Sequence, residues 1–178
     1  MHISLIQAVL IAIFYYLSWS PWLTYVGFFT WNRPLLAGFV TGIILGDPVQ
    51  GAIIGAGINM IYLGFISAGG AQMGDPAFAG YVGTALAIAS KLDVSTAMAI
   101  AVPLGTVATV LWIGKMTVNS FFAHWADREV QKGNVDRVAF INIVPPQILL
   151  FAMSFIPALL VVYFGPNAID GKIGRAHV

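Results

Sequence analysis

The chain has 178 residues, a formal net charge of +1, 8% charged residues and 59% hydrophobic ones; soluble domains carry about 25% and roughly 45–50% respectively. So few charges cannot cover the surface of a soluble protein of this length, and so small a net charge gives no electrostatic footprint for nucleic acid. With no cysteine there is no disulfide, thiolate nucleophile or Cys-based metal site, and His2, His124 and His177 are too scattered to ligate a metal.

The composition predicts one all-α, polytopic helical domain embedded in a lipid bilayer. Ile3 to Asn32 carries no formal charge. It lacks a basic n-region and a small-residue cleavage site, so it reads as a retained membrane segment. Pro21, in Ser18-Trp19-Ser20-Pro21-Trp22, predicts a kink or break. Trp19, Trp22, Tyr25 and Trp31 suit either interfacial anchoring or packing against neighbouring helices.

Arg33-Pro34 opens the next segment. Pro34 to Gly46 is too short to cross a hydrocarbon core of roughly 30 Å, which predicts a half-helix or re-entrant piece. Gly38, Gly42 and Gly46 recur every fourth residue, a spacing that lets helix backbones approach closely. Asp47-Pro48 then has the form of a helix start, with Asp as N-cap and Pro at the first position. The expected helix, Pro48 to Phe65, carries Gln50 and Asn59 among apolar residues. Ser67 to Gln72 is a poor helix former and predicts an irregular linker. Such backbone is tolerated at membrane depth only inside protein or along a wet cavity. A second Gly-Asp-Pro, at Asp75-Pro76, restarts a short helix to Ser90.

After the polar turn Lys91-Leu92-Asp93, a helix capped by Asp93 or Ser95 should run to about Gly114 through Pro103. Lys115 to Arg137 then holds almost half of the charges. Val118, Phe121, Phe122 and Trp125 follow helical spacing, which predicts an amphipathic interfacial helix ended by Gly133-Asn134. Its basic residues favour a cytoplasmic location. Val138 to Phe164 is again apolar, and Pro145-Pro146 and Pro157 predict a kinked or discontinuous span.

Within this frame Asp47, Asn59, Gln72 and Asp75 are the candidate site residues. Ionisable groups in membrane segments are costly and mark transport paths. Carboxylates and amides hydrogen-bond neutral hydroxyls, as a sugar presents them, in fixed directions, and Tyr62 or Tyr81 can face a sugar ring. Helix capping by Asp47 and Asp75, and interhelical hydrogen bonds from Asn59 and Gln72, are the structural alternatives. There is no nucleophile–base arrangement and no P-loop, so neither enzymatic activity nor a cofactor is expected.

RPLLAGFVTGIILGDPVQGAIIGAGINMIYLGFISAGGAQMGDPAFAGYVGTALAI, Arg33 to Ile88, strongly resembles the membrane IIC component of the mannose/fructose/sorbose family of bacterial sugar phosphotransferase systems. The likeness extends from Ile6-Gln7 to the Asp127–Asp136 stretch. Asn59 departs from the Gln or Glu more common there. The resemblance implies a multi-pass subunit of the bacterial plasma (inner) membrane that binds and moves a sugar. It would form a hetero-oligomer with a IID membrane subunit, and the sugar would be phosphorylated through soluble IIA and IIB. An ion-coupled secondary transporter and a non-transporting scaffold or receptor are the rivals. Family members are longer, and Lys172 to Val178 matches translated sequencing adapter. Residues 1–171 are therefore expected to be the N-terminal part of a IIC permease domain, and 172–178 a non-native tail.

Overall fold

The computed structural model describes residues 2–23, 26–65 and 72–173. Tyr25, Ser67 to Ala71 of the expected linker and the last residues of the tail lie outside these. Among the described residues every regular element is a helix, with no strand.

Helix α1, Leu5–Trp19, opens with a capping box in which Ser4 and Gln7 satisfy each other's backbone N–H groups. The chain breaks at Pro21 as expected, first into a 3-10 turn, Pro21–Leu23, then into a π-helical turn, Gly27–Trp31. Trp19 packs on Trp112 and Trp31 stacks on Phe14. Trp22 is exposed, so only Trp22 of these three fits an anchor at the bilayer interface.

Helices α2, Pro34–Leu45, and α3, Pro48–Tyr62, form a tight hairpin. Gly38 and Gly42 of α2 face Gly51 and Gly55 of α3. A Cβ on Gly38 would lie 2.6 Å from the Gly51 carbonyl oxygen and 2.7 Å from the Gly55 Cα. The spacing rule therefore holds for these four glycines. Gly46 does not share in it: it has φ +85° and nothing within 4 Å of an added Cβ, so it makes the left-handed turn that ends α2.

Helix α4, Pro76–Ala89, contains a π-helical turn at Ala79–Gly83. It rises only about 20 Å. Every residue from Ala77 to Ala89 is buried, and α4 packs against each of the other helices. A helix apolar on all sides belongs in such a position. This is the broken, protein-enclosed element that the Gly-Asp-Pro repeat predicts.

Helices α5, Val94–Gln131, and α6, Val135–Ile173, pack together as a long hairpin. Two expectations change here. The boundary near Gly114 is absent, so the amphipathic Lys115–Gln131 stretch continues the helix that precedes it. Phe121 and Trp125 point outward, and Ala126 and Glu129 form the buried side. Helix α6 likewise runs without a break through Pro145, Pro146, Pro157 and Pro166. A lone glycine costs a helix only about 1 kcal/mol, and in an apolar medium the remaining backbone bonds have no aqueous competitor. Both helices are long and apolar enough to cross a membrane, with mean hydropathies of 1.9 and 2.4 in their most apolar stretches. Large apolar side chains are exposed along them, including Val107, Ile113, Ile148 and Phe164.

Candidate functional site

The N-terminus of α4 organises the site. Pro76 has no N–H to satisfy, and Asp75 caps the first turn, its Oδ1 accepting the Phe78 N–H at 2.8 Å. The other carboxylate oxygen accepts the Tyr15 hydroxyl of α1 at 2.6 Å. The Asp75 N–H donates to the Gly105 carbonyl of α5 at 2.8 Å. Gly105 permits this approach, because a Cβ there would collide with the Tyr62 hydroxyl and stand 2.8 Å from the Asp75 carbonyl oxygen. Asp75 is thus buried and tied to α1, α4 and α5 at once.

A small recess of about 20 Å³ adjoins the carboxylate, a size that admits one water. Trp19, Trp112, Lys115 and Ser154 share its wall with Tyr15 and Asp75. The Lys115 ammonium lies 3.9 Å from the Trp112 ring centroid and 5.5 Å from that of Trp19. Two aromatic faces therefore hold the cation on the carboxylate side of α5.

On the other side of Asp75 a larger cavity, about 260 Å³, opens between the end of α3, the start of α2 and the entry to α4. Its walls carry Trp19, Asn32, Arg33, Asn59, Tyr62, Gln72 and the Gly74–Pro76 turn. Three of these are amides, which offer both donors and acceptors. Asn32 is buried, and among the described residues its amide nitrogen has no hydrogen-bond partner. The volume lies just under the roughly 300–1,000 Å³ that drug-sized ligands occupy, a scale suited to a smaller polar molecule.

The four sequence candidates separate. Asn59 and Gln72 come together on the cavity wall. Asp75 lies behind that wall, both its oxygens engaged, and shapes it through Gly74 and Pro76. The structure does not bring Asp47 to this group. Asp47 is exposed at the far end of the α2–α3 hairpin, where its Oδ1 accepts the Gln50 N–H at 3.0 Å. Two identical tripeptides thus serve one surface cap and one buried junction. Tyr62 lines the cavity, whereas Tyr81 is buried in the core with its hydroxyl on the Trp31 carbonyl. Asn32, Tyr15, Trp19 and Lys115 were not among the candidates. Asn32, next to Arg33-Pro34 in an uncharged segment, was detectable as a polar side chain at a helix break. Tyr15 bonds Asp75 from 60 positions away and Lys115 shares its recess from 40, and no local pattern signals that.

Comparison with known proteins identifies the family. The family described as the PTS system sorbose-specific IIC component matches residues 5–174. The chain belongs to this family. Among its relatives, the sorbose-specific EIIC component of Lacticaseibacillus casei is 33% identical over 97% of this chain and 62% of the relative. The mannose-specific EIIC component of Escherichia coli K12 is 37% identical over 75% of this chain and 50% of its own length. The present chain thus spans about half to three-fifths of these IIC relatives. A cryo-EM structure of the mannose transporter ManYZ with microcin E492 contains a chain of the same fold. It superposes with TM-score 0.78 and 30% identity, covering 99% of this chain and 79% of that one. These relatives are named as sorbose- and mannose-specific EIIC components, and two helices of this chain are long and apolar enough to cross a membrane.

Proposed function

We propose that this IIC chain binds a sugar and carries it across the bacterial plasma membrane, which it crosses several times, as part of a phosphoenolpyruvate-dependent phosphotransferase system. The observation that carries this is the amide-lined cavity at the junction of broken helices, in a chain whose relatives are named as sugar-specific IIC components. Asn32, Asn59 and Gln72 supply directional hydrogen bonds to hydroxyls. Trp19 and Tyr62 offer apolar faces to the ring, and Arg33 borders the wall. Asp75 positions the wall and does not touch the sugar; Asp47 serves α3 as its cap.

Movement of one packed unit against another would expose the cavity alternately to the two sides, as broken-helix transporters do. The ManYZ neighbour supports a second membrane subunit of the IID type as partner. Soluble IIA and IIB would deliver the phosphoryl group to the arriving sugar, and this chain would not itself be phosphorylated.

The test is uptake of labelled sugars by cells carrying the full-length gene and its IID, with and without IIA and IIB. Intracellular sugar phosphate that requires every partner is the expected outcome. Accumulation of unmodified sugar without IIA and IIB would replace this mechanism by secondary transport. Within that assay, N59A and Q72A each remove about one net hydrogen bond and should raise KM roughly two- to tenfold, with unchanged protein in the membrane. Unchanged KM in both would remove these amides from the site.

A further inference from the structure

The outer face of α2 carries a second recess, about 420 Å³, distinct from the amide-lined cavity. Phe29, Leu35, Leu36, Phe39 and Ala52 make its wall almost wholly apolar, and Arg33 is its one charged member. Phe29, Leu35 and Phe39 remain 62%, 46% and 41% exposed. Arg33 is exposed as well, and among the described residues no carboxylate pairs with it. A hydrocarbon slot beside an unpaired guanidinium matches a ligand with an apolar tail and an anionic head. A partner helix laid on the slot would have to bring a carboxylate to Arg33, because burying an uncompensated cation is strongly unfavourable, whereas an anionic lipid carries its counter-charge at the headgroup. Free phosphate would leave the apolar wall uncovered.

We propose that this recess holds an acyl chain of an anionic membrane phospholipid, with Arg33 gripping its phosphate. Guanidinium binds phosphate oxygens through paired N–H donors, and the long side chain can reach headgroup level while its stem lies along the slot. The lipid would sit against α2 where Arg33 also borders the amide-lined cavity. Transport by Arg33 variants would therefore mix two effects, and the test reads lipid directly.

The chain, purified in detergent and stripped of lipid, is titrated with phosphatidylglycerol or phosphatidylcholine and followed by native mass spectrometry. The wild type should take up one phosphatidylglycerol at about fivefold lower concentration than phosphatidylcholine, the worth of one basic residue facing anionic lipid. R33Q should bind both equally, and R33K, which keeps the charge, should retain a preference for phosphatidylglycerol. A diazirine placed on the acyl chain should crosslink to the Leu35–Phe39 peptide in the wild type. Equal binding of the two lipids by the wild type overturns the proposal. So does a preference that survives R33Q, or crosslinking confined to other peptides. If R33Q and R33K both fail to fold, the wild-type lipid ratio and the crosslinked peptide still decide it. In a complex co-expressed with IID, capture of the Leu35–Phe39 segment by protein in place of lipid would also overturn it.

Discussion

Asp75 shows how much depends on single hydrogen bonds inside an oily chain. Its two oxygens are each assigned, one to the helix it caps and one to Tyr15. Tyr15→Phe deletes one donor and leaves a buried carboxylate oxygen without its partner, a loss of about 1–3 kcal/mol. Asp75→Ala removes the cap as well, about 1 kcal/mol more, and leaves the Tyr15 hydroxyl unpaired. Asp75→Asn keeps an oxygen for the Phe78 N–H and an amide group opposite the phenol, so it should be the mildest of the three. The melting temperature in detergent should fall in the order wild type, D75N, Y15F, D75A. Because Asp75 lies behind the cavity wall, D75N protein that remains folded should bind sugar with little change. If D75N abolishes uptake at normal abundance and melting temperature, Asp75 touches the sugar after all. Nothing in the two Gly-Asp-Pro tripeptides distinguishes the exposed Asp47 from the buried Asp75. The tripeptide encodes a cap, and the five helices around α4 decide which cap is buried.

The same contrast between local code and packing holds for whole elements. In the α2–α3 hairpin, Gly38 and Gly46 fall in one sequence register but do different work. Gly38→Ala drives a methyl group into the Gly51 and Gly55 backbone. It should cost about 3 kcal/mol or more, because neither backbone can give way. Gly46→Ala meets no atom but forces a left-handed alanine, roughly 1–2 kcal/mol. Thermal stability in detergent should rank wild type, G46A, G38A, and the reverse order of the two variants would refute the close-packed hairpin.

At the start of α5, Asp93 accepts from the Ser95 and Thr96 hydroxyls and their backbone N–H groups. The Ser95 and Thr96 hydroxyl bonds hold its carboxyl down at about 2. A carboxyl lowered on folding stabilises above its ordinary value near 4, and that contribution disappears as pH falls toward 2. Hydrogen exchange at the first turn of α5 should therefore be faster in D93A than in wild type above pH 4, and the two should converge near pH 2. Several helix starts were legible, since Asp47, Asp75 and Asp93 each present a side-chain acceptor, whereas the Ser4 cap of α1 was not read. Helix ends were less so, because Gly114 and Pro145-Pro146 are read by rules from water, where a broken turn finds solvent. In the apolar surroundings of a bilayer it finds none, and the helices continue.

At the scale of the whole molecule, α5 and α6 are 38 and 39 residues long. At 1.5 Å per residue each reaches nearly 60 Å, about twice the hydrocarbon thickness of a bilayer. One end of the hairpin must therefore stand clear of the membrane core, and the charges identify it. Glu129 is buried at the tip beneath Lys132 at 2.8 Å and Arg137 at 3.6 Å, with the Asn134 amide at 2.9 Å. Arg128, Lys132 and Arg137 cluster around this turn, and basic residues near span ends are retained on the cytoplasmic side. This sequence contains no cysteine, so one introduced into it reports the orientation directly. Asn134→Cys should react with a membrane-impermeant maleimide in inside-out vesicles and remain unlabelled in intact cells. Leu150→Cys, at a buried position farther along α6, should be unreactive in both. Labelling of Asn134→Cys in intact cells would put the tip outside. The basic cluster would then be a surface for some other anionic contact. With the tip inside, the hairpin presents a charged platform on the cytoplasmic face, where the proposed mechanism would have soluble IIB approach.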